Sequence, residues 1–254
     1  MEERIALPPG DYVSPNFKVV RLDQAFPFMV VGDRCACRWP YLRREVPHNW
    51  YVDRRLPLIG FVNRDEAHIL YNTALAFGGK RALEIGCWLG WSACHLALGG
   101  VRLDVVDPLL ARPDFHQNVT RSLSNVGVLE SVNLVPKRSP EAIREAFERH
   151  GEKWSLIFID GDHDAPGPLR DAQECLRFAE DDALILLHDL ASPDVAAALD
   201  FLRAEGWKTM LYQTMQIMAV AWRGGVRPAH HLPDPAVHWT LPSQLASYPV
   251  SGMN

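Results

Sequence analysis

The sequence predicts an α/β domain built on a mostly parallel sheet, with an antiparallel hairpin at its C-terminal edge and helices on both faces. Two apolar runs carry this prediction, Leu156–Ile159 and Ala183–Leu187, each continuous enough for a strand buried on both sides. Both stop abruptly in groups that neither pack in a core nor extend a strand, Asp160-Gly161-Asp162-His163 after the first and His188-Asp189 after the second. A segment of helical period lies between them. A βαβ unit follows, with its two strands side by side and parallel.

Composition sets the broad class. The chain has 254 residues, 48% of them hydrophobic and 22% charged, enough for one large α/β domain with additions. A net charge of −5 offers no general attraction to a phosphate backbone, so no nucleic-acid partner is expected. No apolar run is long enough to span a membrane, and the Met1–Arg4 start lacks the pattern of a signal peptide. A cytoplasmic protein without a membrane partner is therefore expected. The five cysteines, an odd number, fit that compartment, and the lone Cys35-x-Cys37 pair is a weak metal signal.

Residues 1–58 read as an N-terminal arm or lid. They hold Pro8, Pro9, Pro15, Pro27, Pro40, Pro47 and Pro57, which limit regular structure, and a basic and aromatic patch between Arg34 and Arg55. The patch suits an acidic or aromatic ligand, or simply a solvated surface, and the arm is also a candidate contact for a homo-oligomer. Regular structure begins at Asn63, whose spacing to Glu66 is that of a capping box, with Ala67, Leu70, Ala74 and Phe77 on one helical face. The first strand, Arg81–Ile85, leads into Gly86-Cys87-Trp88-Leu89-Gly90 and a helix that runs to Gly99-Gly100. Leu103–Val106 ends in Asp107, where nucleotide-binding α/β folds hold ribose hydroxyls, although Asp107 could equally cap a turn with Pro108. Val132–Val135 is the third strand. Ser139 is the expected N-cap of the next helix and Pro140 its first residue. Trp154–Ile159, a helix from near Pro168, Ala183–Leu187, a helix opened by Ser192-Pro193 and two strand-like runs within Lys208–Trp222 complete the domain, 59–225. The segment 226–254 is rich in Pro and His. Its His230, His231 and His238 have no spacing that favours a closed metal site, so a docked or loose tail is expected.

The residues that invite chemistry fall into two sets. Glu84-x-Gly86-x-x-x-Gly90 opens a helix whose free N–H groups and close-approach glycines suit a ligand, but it is not the G-x-G-x-x-G of a dinucleotide site. Asp160, His188 and Asp189 would converge at adjacent strand ends and could supply part of the shell of a divalent cation, although Asp160 and Asp162 could also simply cap the turn that follows.

Taken in order, the E-x-G-x-x-x-G turn, the Asp that ends strand two, D-G-D-H and H-D resemble a Rossmann-like class I S-adenosylmethionine-dependent methyltransferase. More narrowly, residues 60–223 are similar to the metal-dependent small-molecule O-methyltransferases, which include the catechol, caffeoyl-CoA and macrolide-sugar enzymes. The resemblance implies the cofactor S-adenosylmethionine, with Glu84, Gly86 and Gly90 at its methionine part, Trp88 and Ser92 beside them and Asp107 on the ribose. It places Arg138 and Ser139 near the adenine and leaves Asp162 as a cofactor-side residue. It implies a divalent metal held by Asp160, Asp189 and His188, and His163 as general base, with Asp160 and His163 the catalytic pair. Where this chain has His188 the family usually has Asp or Glu; Mg²⁺ remains the first expectation, and the imidazole makes Mn²⁺, Fe²⁺ or Zn²⁺ more plausible. The implied function is O-methylation of a hydroxylated small-molecule acceptor, as in natural-product biosynthesis. Two alternatives stand beside it, a nicotinamide-dependent oxidoreductase on the same fold, which the missing third glycine disfavours, and a non-catalytic cofactor-binding interaction protein.

Overall fold

The computed structural model describes residues 10–252. Residues 1–9, with Pro8, Pro9 and the Met1–Arg4 start, and residues 253–254 lie outside the described part. Along the chain come β1 (Met29–Val31), β2 (Tyr51–Asp53), β3 (Leu56–Phe61), α1 (Arg64–Leu75), β4 (Arg81–Ile85), α2 (Trp91–Leu98), β5 (Arg102–Val106) and α3 (Pro113–Val126). They are followed by β6 (Val132–Val135), α4 (Glu141–His150), β7 (Trp154–Ile159), α5 (Gly167–Phe178), β8 (Ala179–Leu187), α6 (Pro193–Ala204), β9 (Lys208–Tyr212) and β10 (Met218–Arg223).

Seven strands form the main sheet in the order β6-β5-β4-β7-β8-β10-β9. The pairs from β6 to β8 are parallel, and β10 pairs antiparallel with both β8 and β9. This is the predicted architecture, including the edge hairpin. Strand order reverses between β4 and β7, so the connections that leave them run to opposite faces and open a crevice beyond their carboxyl ends.

Alternating side chains explain why the central strands are apolar throughout. Ala82, Leu156, Phe158, Leu184 and Leu186 belong to one core, with α1, α2 and α3 over it. Leu83, Ile85, Ile157, Ile159, Ile185 and Leu187 belong to the other, beneath α4, α5 and α6. No residue of β7 exposes more than 7% of its surface, and its burial ends at Asp160. The carboxylates and imidazoles that follow are therefore the first polar groups the strand can deliver, and they arrive on a rigid base.

Three features depart from the sequence reading. Helix α3 is not among the predicted elements, although Phe115, Val119 and Leu123 recur every fourth residue and are its buried face. Helix α4 begins one residue later than expected: Pro140 stands at the cap without a side-chain hydrogen bond, and Ser139 remains on the loop. The arm is less irregular than its prolines suggest, because β1, β2 and β3 form a small antiparallel sheet. The edge strand β3 carries Pro57, where a missing N–H costs nothing, and it runs through the 58/59 boundary.

The arm and the tail are both docked. Arg64 at the start of α1 binds Asp11, at 2.7 Å, and Asp23. Tail residue His231 is buried with its Nε2 2.8 Å from Asp65 Oδ2, and Leu211 donates its N–H to Pro249 O at 2.8 Å. Arg43 ties the two segments together by donating to Thr214 O at 3.0 Å and Thr240 O at 2.7 Å.

Gly86 joins the two motifs that the sequence singled out. It has φ +81°, and a Cβ there would press into the backbone of the acidic turn, 2.7 Å from Asp160 C and 2.8 Å from Gly161 Cα. Gly127 has the same backbone, φ +80°, with nothing within 4 Å. Gly127→Ala should therefore cost only the left-handed conformation, about 1 kcal/mol, and Gly86→Ala that plus overpacking, about 3 kcal/mol or more. In thermal unfolding the two should differ by roughly 4–8 °C. Equal losses would show that the two turns do not rest on each other.

Candidate active site

One cavity of about 600 Å³ opens at the carboxyl ends of the parallel strands. The glycine turn forms one wall. Gly86 (φ +81°), Trp88 (φ +45°) and Gly90 (φ +88°) all take the left-handed conformation, which turns the chain from β4 into α2. The Asp107 carboxylate holds this turn, accepting from Cys87 N at 2.9 Å and Trp88 N at 3.2 Å, and it also caps its own turn through Leu109 N at 2.8 Å. The capping alternative is thus realised. Asp107 still lines the cavity, and a carboxylate's two oxygens leave acceptor capacity for a ligand.

Eleven of the residues singled out from sequence lie on the cavity wall: Gly86, Trp88, Ser92 and Asp107 from the first two strand ends, Arg138, Ser139 and Asp162 further along, and Asp160, His163, His188 and Asp189 at the base. Arg138 reaches across to Asp162, Nη2 to Oδ2 2.7 Å, an exposed pair worth little to stability that fixes the guanidinium beside the cavity. Glu84 and Gly90 lie behind the wall. Glu84 is fully buried with no hydrogen-bond partner on either oxygen. Burial pushes its carboxyl well above the usual range, and only the Ser92 hydroxyl opposes the rise. Beyond the Ser92 hydroxyl, such a group has fewer donors than buried acceptors normally have.

At the base, three carboxylates and two imidazoles meet. His163 Nε2 is 3.4 Å from Asp160 Oδ1 and 3.2 Å from Asp189 Oδ2. His188 Nδ1 is 3.3 Å from Asp160 Oδ1 and 3.1 Å from Asp189 Oδ2, and its Nε2 is 3.3 Å from Glu66 Oε2. Burial would lower both imidazole pKa values, but the carboxylates override it. They raise His163 to about 10 and His188 well above its ordinary value. Burial would likewise raise Asp160, Asp189 and Glu66, and the imidazoliums instead hold all three below the usual carboxylate range.

This geometry exchanges the roles of the two histidines in the expected metal site. One ligand atom each from Asp160, His163 and Asp189 lies within 4.8 Å of the others, a donor set of two oxygens and one nitrogen that fits a divalent cation. His188 is not in that set. Its Nδ1 is turned to the two aspartates and its Nε2 to Glu66, so it stands behind the three-residue set. Asp189 itself has φ +61°, a conformation Asp tolerates, and its Oδ1 accepts from Gln216 Nε2 at 2.7 Å.

Sequence reasoning missed two residues of this cluster and, apart from the aromatic arm residues read as a possible lid over a pocket, the apolar part of the lining. Glu66 does form the predicted capping box, both hydrogen bonds being 2.9 Å. The same carboxylate also accepts from Gln216 N at 2.8 Å and faces His188. Only its burial, which a cap does not need, marks it as a site residue. Gln216 bridges Asp189, Glu66 and, through Oε1, Arg43 N at 3.3 Å. The opposite wall is apolar: Trp39, Leu42 and Trp50 from the arm, Leu58 and Ile59 from β3, and Met215.

Residues 83–190 match the family described as a methyltransferase domain. No curated protein matches the sequence. Among solved structures, the chain is similar to an O-methyltransferase from Bacillus cereus in complex with SAH, at 14% identity and TM-score 0.56 over 64% of this chain and 83% of that one. The O-methyltransferase TomG from Streptomyces achromogenes, involved in tomaymycin synthesis and in complex with SAM, aligns at 18% identity and TM-score 0.54 over 65% and 82%. A putative caffeoyl-CoA O-methyltransferase from Staphylococcus aureus aligns at 15% identity and TM-score 0.55 over 67% and 88%. At these identities the likeness is one of fold.

The raised His163 pKa has a pH consequence. Its pairing stabilises the fold fully below pH 6.5, the ordinary value, and that contribution is lost as pH rises through about 10. In the metal-free protein, imidazole NMR should find His163 still protonated at pH 8, and the stability gap between wild type and His163→Ala should shrink between pH 6.5 and 10. A His163 signal titrating near 6.5 would contradict the pairing.

Proposed function

We propose that this chain, which carries a methyltransferase domain over residues 83–190 on a Rossmann-like class I methyltransferase fold, transfers a methyl group from S-adenosylmethionine to a hydroxyl oxygen of a small molecule. The observation that carries the reading is that the glycine turn and the carboxylate–imidazole cluster open into one cavity, with Gly86 packed on Asp160. The SAH and SAM in the Bacillus and Streptomyces structures support the choice of cofactor. Glu84, buried and short of donors, suits the ammonium of a methionine moiety, and Asp107 the ribose.

In the reaction the acceptor oxygen attacks the sulfonium methyl, a C–O bond forms as the S–C bond breaks, and the hydroxyl proton leaves. Holding the two reactants in line is the larger contribution available to the protein, on the order of 7–11 kcal/mol of barrier. Asp160, His163 and Asp189 form a donor set suited to a divalent cation, Mg²⁺ first and Mn²⁺, Fe²⁺ or Zn²⁺ by virtue of the imidazole. Bound there, a cation would supply Lewis acidity that lowers the pKa of the acceptor hydroxyl. His163, whose Nε2 faces Asp160 and Asp189, is the residue placed to take the hydroxyl proton, or would join the two aspartates in holding the cation. His188, held between Glu66 and the two aspartates, keeps these carboxylates oriented.

A thermal-shift screen with S-adenosylmethionine, S-adenosylhomocysteine and NAD, each with and without Mg²⁺ or Mn²⁺, tests this reading. Stabilisation by the first two is expected, and stabilisation by NAD alone would overturn it in favour of an oxidoreductase. Cofactor binding with no turnover and no metal response would favour an interaction protein. Asp160→Ala should reduce turnover by 100-fold or more while calorimetry finds cofactor affinity within about threefold of wild type, since the removed carboxylate acts on the acceptor side. Metal binding should release protons as the histidine gives up its own, detected as a buffer-dependent calorimetric heat. His163→Ala should flatten the acid limb of the pH–rate profile if His163 is the base, and abolish metal binding if it is a ligand. An unchanged profile with unchanged metal affinity would remove it from the chemistry.

A further inference from the structure

We propose that the N-terminal arm selects the methyl acceptor, and that this acceptor is an uncharged or cationic hydroxylated compound with a flat apolar body, not an anion. The inference rests on the O-methyl transfer proposed above and concerns the wall of the cavity that faces the carboxylate–imidazole base.

That wall presents rings and aliphatic side chains. The Trp39 ring centroid is 5.2 Å from that of His163, so a molecule that brings a hydroxyl to the base lies along an indole. Trp50 and Leu42 continue the surface and pack with Cys37, Val46 and Met215 in a core separate from the two that flank the sheet. At the mouth, Leu58 and Ile59 leave 53% and 47% of their surface exposed. Apolar side chains of this size beside a cavity are what an apolar ligand covers.

The charges point the same way. The lining holds five carboxylates, Glu66, Asp107, Asp160, Asp162 and Asp189, against three groups that can be cationic, Arg138, His163 and His188. Each of those three already has a carboxylate partner within 3.4 Å. The arginines of the arm, which from sequence suited an acidic acceptor, are turned away. Arg43 serves Thr214 O and Thr240 O, Arg44 donates to Cys37 O at 2.7 Å, Arg34 to Val46 O, Arg55 binds Asp53 at 2.7 Å, and Arg54 lies over the Phe28 ring. None of them lines the cavity, nor does Arg38, which is exposed between the lining residues Cys37 and Trp39. An acceptor carboxylate, phosphate or nucleotide tail would meet a lining in which carboxylates outnumber cations and each lining cation is already paired.

Matched catechols test this by binding alone. Calorimetry with protein saturated in S-adenosylhomocysteine and Mg²⁺ would compare 3,4-dihydroxybenzoate, its methyl ester and 3,4-dihydroxybenzylamine. The ester and the amine should bind, and the carboxylate should bind at least roughly 30-fold more weakly, the scale of one unscreened like-charge contact at the edge of a protein site. Met215→Arg should close or reverse that gap, and Trp39→Ala should weaken the ester about tenfold. A carboxylate that binds as well as the ester would overturn the proposal, and loss of that binding in Arg38→Ala would identify the cation responsible. Failure of all three to bind, or an ester affinity unmoved by Trp39→Ala, would also overturn it. Failure of S-adenosylhomocysteine itself to bind would overturn the methyltransferase reading instead.

Discussion

The contact on which the site depends is between two backbones. Beyond the carboxyl ends of β4 and β7, Gly86 lies so close to Asp160 and Gly161 that no side chain fits between them. Asp160 N donates to Ile85 O at 2.9 Å, and His188 N donates to Ile159 O at 3.2 Å, so the three strand ends are stitched together in sequence across the sheet. The glycine turn and the acidic turn therefore cannot move independently. A ligand cradled by the first would be held at a fixed distance from the groups of the second, the positioning that group transfer requires.

Charge compensation is the second constraint. Glu66, Asp160 and Asp189 come from α1 and from the turns that follow β7 and β8, and they tolerate one another because His188 stands among them and His163 faces the two aspartates from the cavity lining. Removing either carboxylate partner from a buried imidazolium is costly, because what remains is an unpaired charge. Gln216 completes the arrangement: its side-chain amide donates to Asp189, its backbone N–H donates to Glu66, and its Oε1 accepts from the backbone N–H of Arg43 in the arm. Arm, tail and the carboxylate–imidazole cluster are thus parts of one network. The arm belongs to the cavity lining as much as to the surface.

Much of this was legible in the sequence, and the boundary of legibility is physical. Strands buried on both faces announce themselves by unbroken apolar runs, so β7 and β8 and the polar residues at their ends could be placed without coordinates. Asn63 and Glu66 were recognisable as a capping box because both partners are local. The second task of Glu66 depends on Gln216, 150 residues away, and leaves no local pattern. The choice between His163 and His188 was equally hidden. Both follow a buried strand within three residues of an aspartate, and only the approach of Glu66, from the first turn of α1, to His188 decides which ring meets a third carboxylate. The arm was hardest, because its prolines argue correctly against long elements while three short strands and the packing of its tryptophans on Met215 are set by tertiary contacts.

The most direct measurement of the central claim follows the methyl group itself. S-adenosylmethionine with a deuterated methyl, incubated with the protein, Mg²⁺ or Mn²⁺ and a set of uncharged hydroxylated acceptors, should give S-adenosylhomocysteine and a product carrying the intact labelled methyl on oxygen, detected by mass spectrometry. Label on nitrogen or carbon, or a bound cofactor that is never consumed with any hydroxyl acceptor, would contradict O-methyl transfer at the Asp160–His163–Asp189 cluster.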